Sequence, residues 1–156
     1  MNPRRSVSNA FSLIEIAVAL GVGAVSLLAI FGLLATGLQI NQTASEQTIS
    51  TDLLMAVAND LRATPSSSMN SMQFGIAIPP NPVGSSLTNT IYFDSNGVGS
   101  TSLTSDSRYR LTITFLPTGP GRIATRAMLR VTWPALADPL KPNAQSAELF
   151  VALDRN

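Results

Sequence analysis

The sequence predicts an α+β fold: a long N-terminal helix that changes from transmembrane to amphipathic, packed on a C-terminal antiparallel sheet of about four strands. Three patterns predict it. Phe11 to Leu38 is an apolar run of about 28 residues, against the roughly 20 that a helix needs to cross a bilayer. Leu53, Leu54, Val57, Ala58 and Leu61 then recur at helical spacing. Beyond residue 90 the apolar residues alternate with polar ones, the period of strands with one face buried.

The first ten residues, "MNPRRSVSNA", are polar and carry Arg4 and Arg5. From Ile16 to Ala35 there is no ionisable side chain. A secretory signal has an apolar core of only about 7–15 residues, and this run is longer. The arginines on its N-terminal side put the N-terminus in the cytoplasm by the positive-inside rule, with the rest of the chain beyond the membrane. Glu15 is the anomaly, an acid just inside the apolar edge. A charge at the centre of a span costs about 2.5–3.5 kcal/mol, and less near the interface. Either it snorkels to water at headgroup depth or it has a partner.

The helix is expected to continue through the polar stretch after Leu38 to a stop near Ala63, because Pro65 biases Thr64 out of helix. Gly21, Gly23, Gly32 and Gly37 weaken the helix, which serves bending, or let helices approach closely. Residues 66–89, rich in Ser, Pro, Gly and Asn, read as a long connecting loop and a candidate contact surface between subunits. Strands follow at 90–94, at "RYRLTITFLP", at "RIATRAMLRVTWP" and at "SAELFVAL". The apolar faces are Tyr109, Leu111, Ile113 and Phe115; Ala127, Leu129, Val131 and Trp133; and Ala147, Leu149, Val151 and Leu153. Their turns and short loops imply an antiparallel meander whose apolar face is covered by the helix stripe.

Composition narrows function. The 156 residues include no Cys and no His. That removes thiolate chemistry, disulfides, His-based acid–base catalysis and the usual zinc sites. Lys+Arg is 10 and Asp+Glu is 9, a balance that gives no net field for nucleic acid. An enzyme is not expected, nor a cofactor or a metal. Asp94-Ser95-Asn96-Gly97 lacks the acids of a calcium loop, and Asn96-Gly97 signals a hairpin turn. Arg108, Arg110, Arg126 and Arg130 form a candidate anion-binding patch on the outer sheet face. The alternative, a solvated face with Glu148 and Asp106 nearby, is favoured by the charge balance and the lack of aromatic residues there. Trp133-Pro134 reads as a strand end.

The segment "AFSLIEIAVAL" resembles the cleavage and methylation motif of type IV pilins and type II secretion pseudopilins: a short basic leader, a small residue, then Phe-Ser-Leu-Ile-Glu and an apolar run. Ala10 stands where that family usually has Gly, small residues being tolerated there. The longer run to Leu38 is similar to the prepilin-like family Verru_Chthon cassette protein B. The resemblance implies four regions: a leader at 1–10, a transmembrane assembly helix at 11–38, its amphipathic continuation at 39–64, and a periplasmic or extracellular sheet domain at 65–156. It implies cleavage between Ala10 and Phe11, N-methylation of Phe11, and assembly through Phe11, Leu13, Ile14 and Glu15, with Arg4 and Arg5 as leader charge. Glu15 would pair with the amine that cleavage creates, since a paired buried charge costs much less than a lone one. The implied partners are a prepilin peptidase and methyltransferase, other pilin-like subunits, an inner-membrane assembly platform and membrane lipid. Two other readings stay open: a minor pilin that captures DNA, a surface or cargo, and an unprocessed single-pass membrane protein. The absence of cysteine departs from many major pilins and suits pseudopilins and minor pilins.

Overall fold

A computed structural model describes residues 12–80, 83–119, 124–138, 141 and 144–155. The described residues form one α-helix, α1 (Leu13–Ala63), and five strands: β1 (Leu87–Phe93), β2 (Gly99–Ser100), β3 (Tyr109–Leu116), β4 (Ala124–Trp133) and β5 (Gln145–Asp154). The chain divides into two compact units, Met1–Ala44 and Ser45–Asn156.

Within the first unit the described residues are helix apart from Ser12, and their side chains are exposed. Leu13, Leu20, Leu28 and Leu33 are each at least 70% exposed. This stretch is long and apolar enough to cross a membrane and lies near the N-terminus. Its hydroxyls are satisfied by the helix itself: Ser26 Oγ donates to the Val22 carbonyl at 2.8 Å and Thr36 Oγ1 to that of Gly32 at 3.2 Å. Hydroxyls bonded four residues back need no water, which suits a hydrocarbon environment where each unpaired polar group is costly.

In the second unit the remainder of α1 buries Ser50, Leu53, Leu54, Val57, Ala58, Asp60 and Leu61. The helix ends at Ala63, two residues before Pro65, and Thr64 caps it by donating Oγ1 to the Asp60 carbonyl at 2.7 Å. The sheet is antiparallel throughout, in the order β2-β1-β3-β4-β5. β3 alternates buried and half-buried residues without a break. Its Tyr109, Leu111, Ile113 and Phe115 join Leu129, Val131 and Trp133 of β4 and the helix stripe in one core. Burying each of these apolar side chains contributes about 1.5–3 kcal/mol. The helix therefore covers the apolar face of the sheet, and α+β is the class.

Two expectations need correction. The sheet has five strands, not four: the Asn96-Gly97 turn returns the chain as β2, which pairs with β1 at Tyr92 and Phe93. Asp94 Oδ1 accepts the N–H groups of Asn96 and Val98, each at 2.8 Å, and Gly97 takes a φ of 79° that favours glycine. The Val98 bond, with those of Asn96 and Gly97 behind it, holds the Asp94 carboxyl below the usual range. β1 also begins at Leu87, inside the expected loop.

The rest of that loop is organised. Asn70 bridges Ala77, and Ile78 N donates to the Met69 carbonyl at 2.7 Å. The Asp60 carboxylate is buried and accepts the N–H groups of Gln73 at 2.9 Å and Phe74 at 3.1 Å, tying the loop to the helix. Ile76, Ile78 and Val83 are buried, so much of its apolar content serves the interior rather than a contact surface.

Candidate assembly segment and the arginine face

At the N-terminus of α1, Ser12 and Glu15 form a reciprocal cap. Glu15 Oε2 accepts the Ser12 N–H at 3.0 Å, and Ser12 Oγ accepts the Ile14 N–H at 3.3 Å. The first helical bond runs from Glu15 N to the Ser12 carbonyl at 3.0 Å. Ser-x-x-Glu is the capping-box pattern, which satisfies N–H groups that a helix start leaves without partners. The negative charge in the first turn also suits the helix dipole. Glu15 thus has a role within its own chain that the sequence reading missed, although Ser12 and Glu15 spell the pattern. Leu13 is 87% and Ile14 69% exposed, apolar side chains left uncovered among the described residues. Ala10, Phe11, Arg4 and Arg5, on which cleavage, methylation and leader charge were expected, lie outside the described residues.

Arg110, Arg126 and Arg130 lie at the positions of β3 and β4 that alternate with the buried ones, and each of the four arginines has a partner within the second unit. Arg108 precedes β3 and pairs with Glu46 of α1 at 2.5 Å; Glu46, not Asp106, is the acid it meets. Beside this pair, Tyr109 is nearly fully buried. Burial first, then the charge of Glu46, raises its phenol above the ordinary value. Arg110 lies over the Tyr92 ring, 5.9 Å from its centroid, and donates Nη2 to the Ala135 carbonyl. Arg126 donates to the Pro117 carbonyl at 3.4 Å. Arg130 pairs with Glu148 at 2.5 Å across β4 and β5. Each guanidinium thus bonds an acid or a carbonyl of its own domain.

An open groove of about 620 Å³ lies along residues 69–87, lined by Met69, Ile78, Pro79, Pro80, Val83 and Leu87 among others. Among the described residues no three His, Cys, Asp or Glu side chains come together as a metal site would require. Comparison with protein-family models, with curated proteins and with solved structures finds no match to this chain.

Proposed function

We propose that this chain is a structural subunit of a type IV pilus-like or type II secretion pseudopilus filament. The observation that carries the reading is Phe11-Ser12-Leu13-Ile14-Glu15 at the head of a helix whose next stretch, Ile16 to Leu38, is apolar and uncharged and whose last turns pack on an antiparallel sheet. In this reading a prepilin peptidase cuts between Ala10 and Phe11 and the new amine of Phe11 is methylated. The chain sits in the inner membrane as a single span, N-terminus in the cytoplasm and sheet domain outside. An assembly platform then extracts it into a filament of pilin-like subunits, with Glu15 meeting the amine of Phe11 in its own or a neighbouring chain. The chain performs no reaction of its own and uses no cofactor. The internal partners of all four arginines support a structural subunit over a module that captures nucleic acid.

The Ser12–Glu15 cap favours one rival, an unprocessed single-pass membrane protein in which Glu15 only starts the helix. Intact mass of the membrane-extracted chain separates the two. Loss of residues 1–10 with one added methyl is the expected result, and a retained leader would falsify processing. Glu15→Gln should then insert normally but enter filaments poorly; unchanged incorporation rules out the counter-charge role.

A further inference from the structure

Asn96-Gly97 makes the turn into β2, and the same pair carries a second chemistry. An asparagine side chain places an acyl carbon within reach of the next backbone nitrogen. When that nitrogen attacks the carbon, a five-membered succinimide closes and ammonia leaves. Glycine in the next position has no Cβ to hinder the approach. Asn-Gly occurs once in the sequence.

The fold singles out the same asparagine. Among the described residues, Asn41 and Asn59 lie in α1, Asn89 lies in β1, and Asn70 bridges Ala77, so regular hydrogen bonding fixes the backbone at each. Asn96 and Gly97 are exposed and lie outside every helix and strand. Asp94 Oδ1 holds the N–H groups on either side, those of Asn96 and Val98, at 2.8 Å. The reacting groups are held more loosely. The Gly97 N–H meets the Asp94 carbonyl at 3.3 Å, and Asn96 Nδ2 meets Asp94 Oδ2 at 3.4 Å, both beyond the usual range for such bonds.

We propose that Asn96 is a site of spontaneous modification, converting to aspartate and isoaspartate, and that the conversion releases β2. The Gly97 nitrogen bonds Asn96 Cγ and gives its proton to water or hydroxide. The Cγ–Nδ2 bond breaks, and Nδ2 departs as ammonia. Water then opens the ring at either carbonyl. One opening gives aspartate; the other gives isoaspartate, whose main chain runs through the side-chain carbon. Either product adds a carboxylate beside that of Asp94, in place of an amide that donates to it. Like charges at that range repel, and isoaspartate also lengthens the turn by one main-chain carbon. β2 has little with which to resist, since it pairs with β1 only at Tyr92 and Phe93. Gly99 of β2 lies against the Phe93 ring, where a Cβ would come within 3.2 Å of Cε1. Loss of β2 therefore uncovers part of a ring that is otherwise fully buried.

The test incubates the full chain in detergent micelles at mildly alkaline pH and follows peptide masses over days. Peptides containing residue 96 should acquire the mass of the acid in place of the amide. The change should quicken as pH rises, because the attacking nitrogen must shed its proton. Asn59, Asn70 and Asn89 should lag well behind. Asn96→Gln offers only a six-membered ring and leaves the backbone bonds of the turn in place, so it should lose the mass change. In converted chains, amide exchange at Val98, Gly99 and Ser100 should be faster than in fresh ones. No conversion at Asn96, or conversion no faster there than at the other three asparagines, overturns the site. Conversion with unchanged exchange at residues 98–100 overturns the release of β2.

Discussion

The helix is one element with two kinds of surface. From Leu13 to Ala44 its apolar side chains are exposed and its hydroxyls bond back to its own carbonyls; from Ser45 to Ala63 it buries Leu53, Leu54, Val57 and Leu61 against a sheet. From Ile16 to Leu38 the first part is apolar around its whole circumference, and the second is apolar along one stripe, the pattern that separates a candidate membrane span from a surface helix of a domain. Local backbone physics is the same in both. What differs is what covers the side chains, and that difference can be broken on each side separately.

The largest effect is expected in the sheet core. Phe115→Ala empties a fully buried position and should cost about 3–5 kcal/mol in urea unfolding of the domain, with membrane fractionation unchanged. The reverse experiment is Leu28→Arg. It should cost about 2.5–3.5 kcal/mol of insertion and shift the chain out of the carbonate-resistant membrane fraction, while the domain melts as before. If Leu28→Arg instead lowered the melting point of the domain, the division of labour along the helix would be wrong. Next, Ser12→Ala removes the cap and should cost about 1 kcal/mol of helix stability, seen as faster exchange at Leu13–Glu15 amides. Glu46→Gln tests the start of the domain-bound part. The pair with Arg108 is half exposed on the arginine side, so screening limits the loss to about 1 kcal/mol or less, and the loss should shrink in high salt. The smallest effect lies in the β1–β2 turn. Its Asp94 carboxyl is held below its ordinary value, so its contribution is present above the ordinary aspartate range and is lost as pH falls through the lowered value. Amide exchange at Val98 should quicken in that acid window, and Asp94→Asn should abolish the dependence.

Legibility in the sequence followed the length of each pattern. Tyr109 to Phe115 and Ala127 to Val131 alternate over enough residues for period two to stand out, and the buried face is the one the alternation implies, although Thr132, of the opposite parity, is buried too. β2 escaped because two residues carry no period, although the Asn96-Gly97 turn that creates it was plain. Ile76, Ile78 and Val83 were hidden among Gly, Pro and Asn, where apolar residues look isolated. Asp60 reads as a solvent-facing helical acid; only the chain returning thirteen and fourteen residues later to offer two N–H groups makes it an interior residue. Arg108 and Glu46 are sixty-two residues apart, beyond any local signal. At the helix start the signal is local: Ser12 and Glu15, three residues apart, spell the cap they form.

Arg155 gives the fold a schedule. Its guanidinium binds the carbonyls of Pro65, Ser66 and Ser68, eighty-seven to ninety residues earlier, just past the end of α1. During synthesis at roughly 5–20 residues per second, the apolar stretch emerges many seconds before β5 and Arg155 exist to close the domain beside the helix end. The apolar stretch is therefore complete while the sheet is still unfinished, and translation itself sets the order in which the two parts of the helix find their cover.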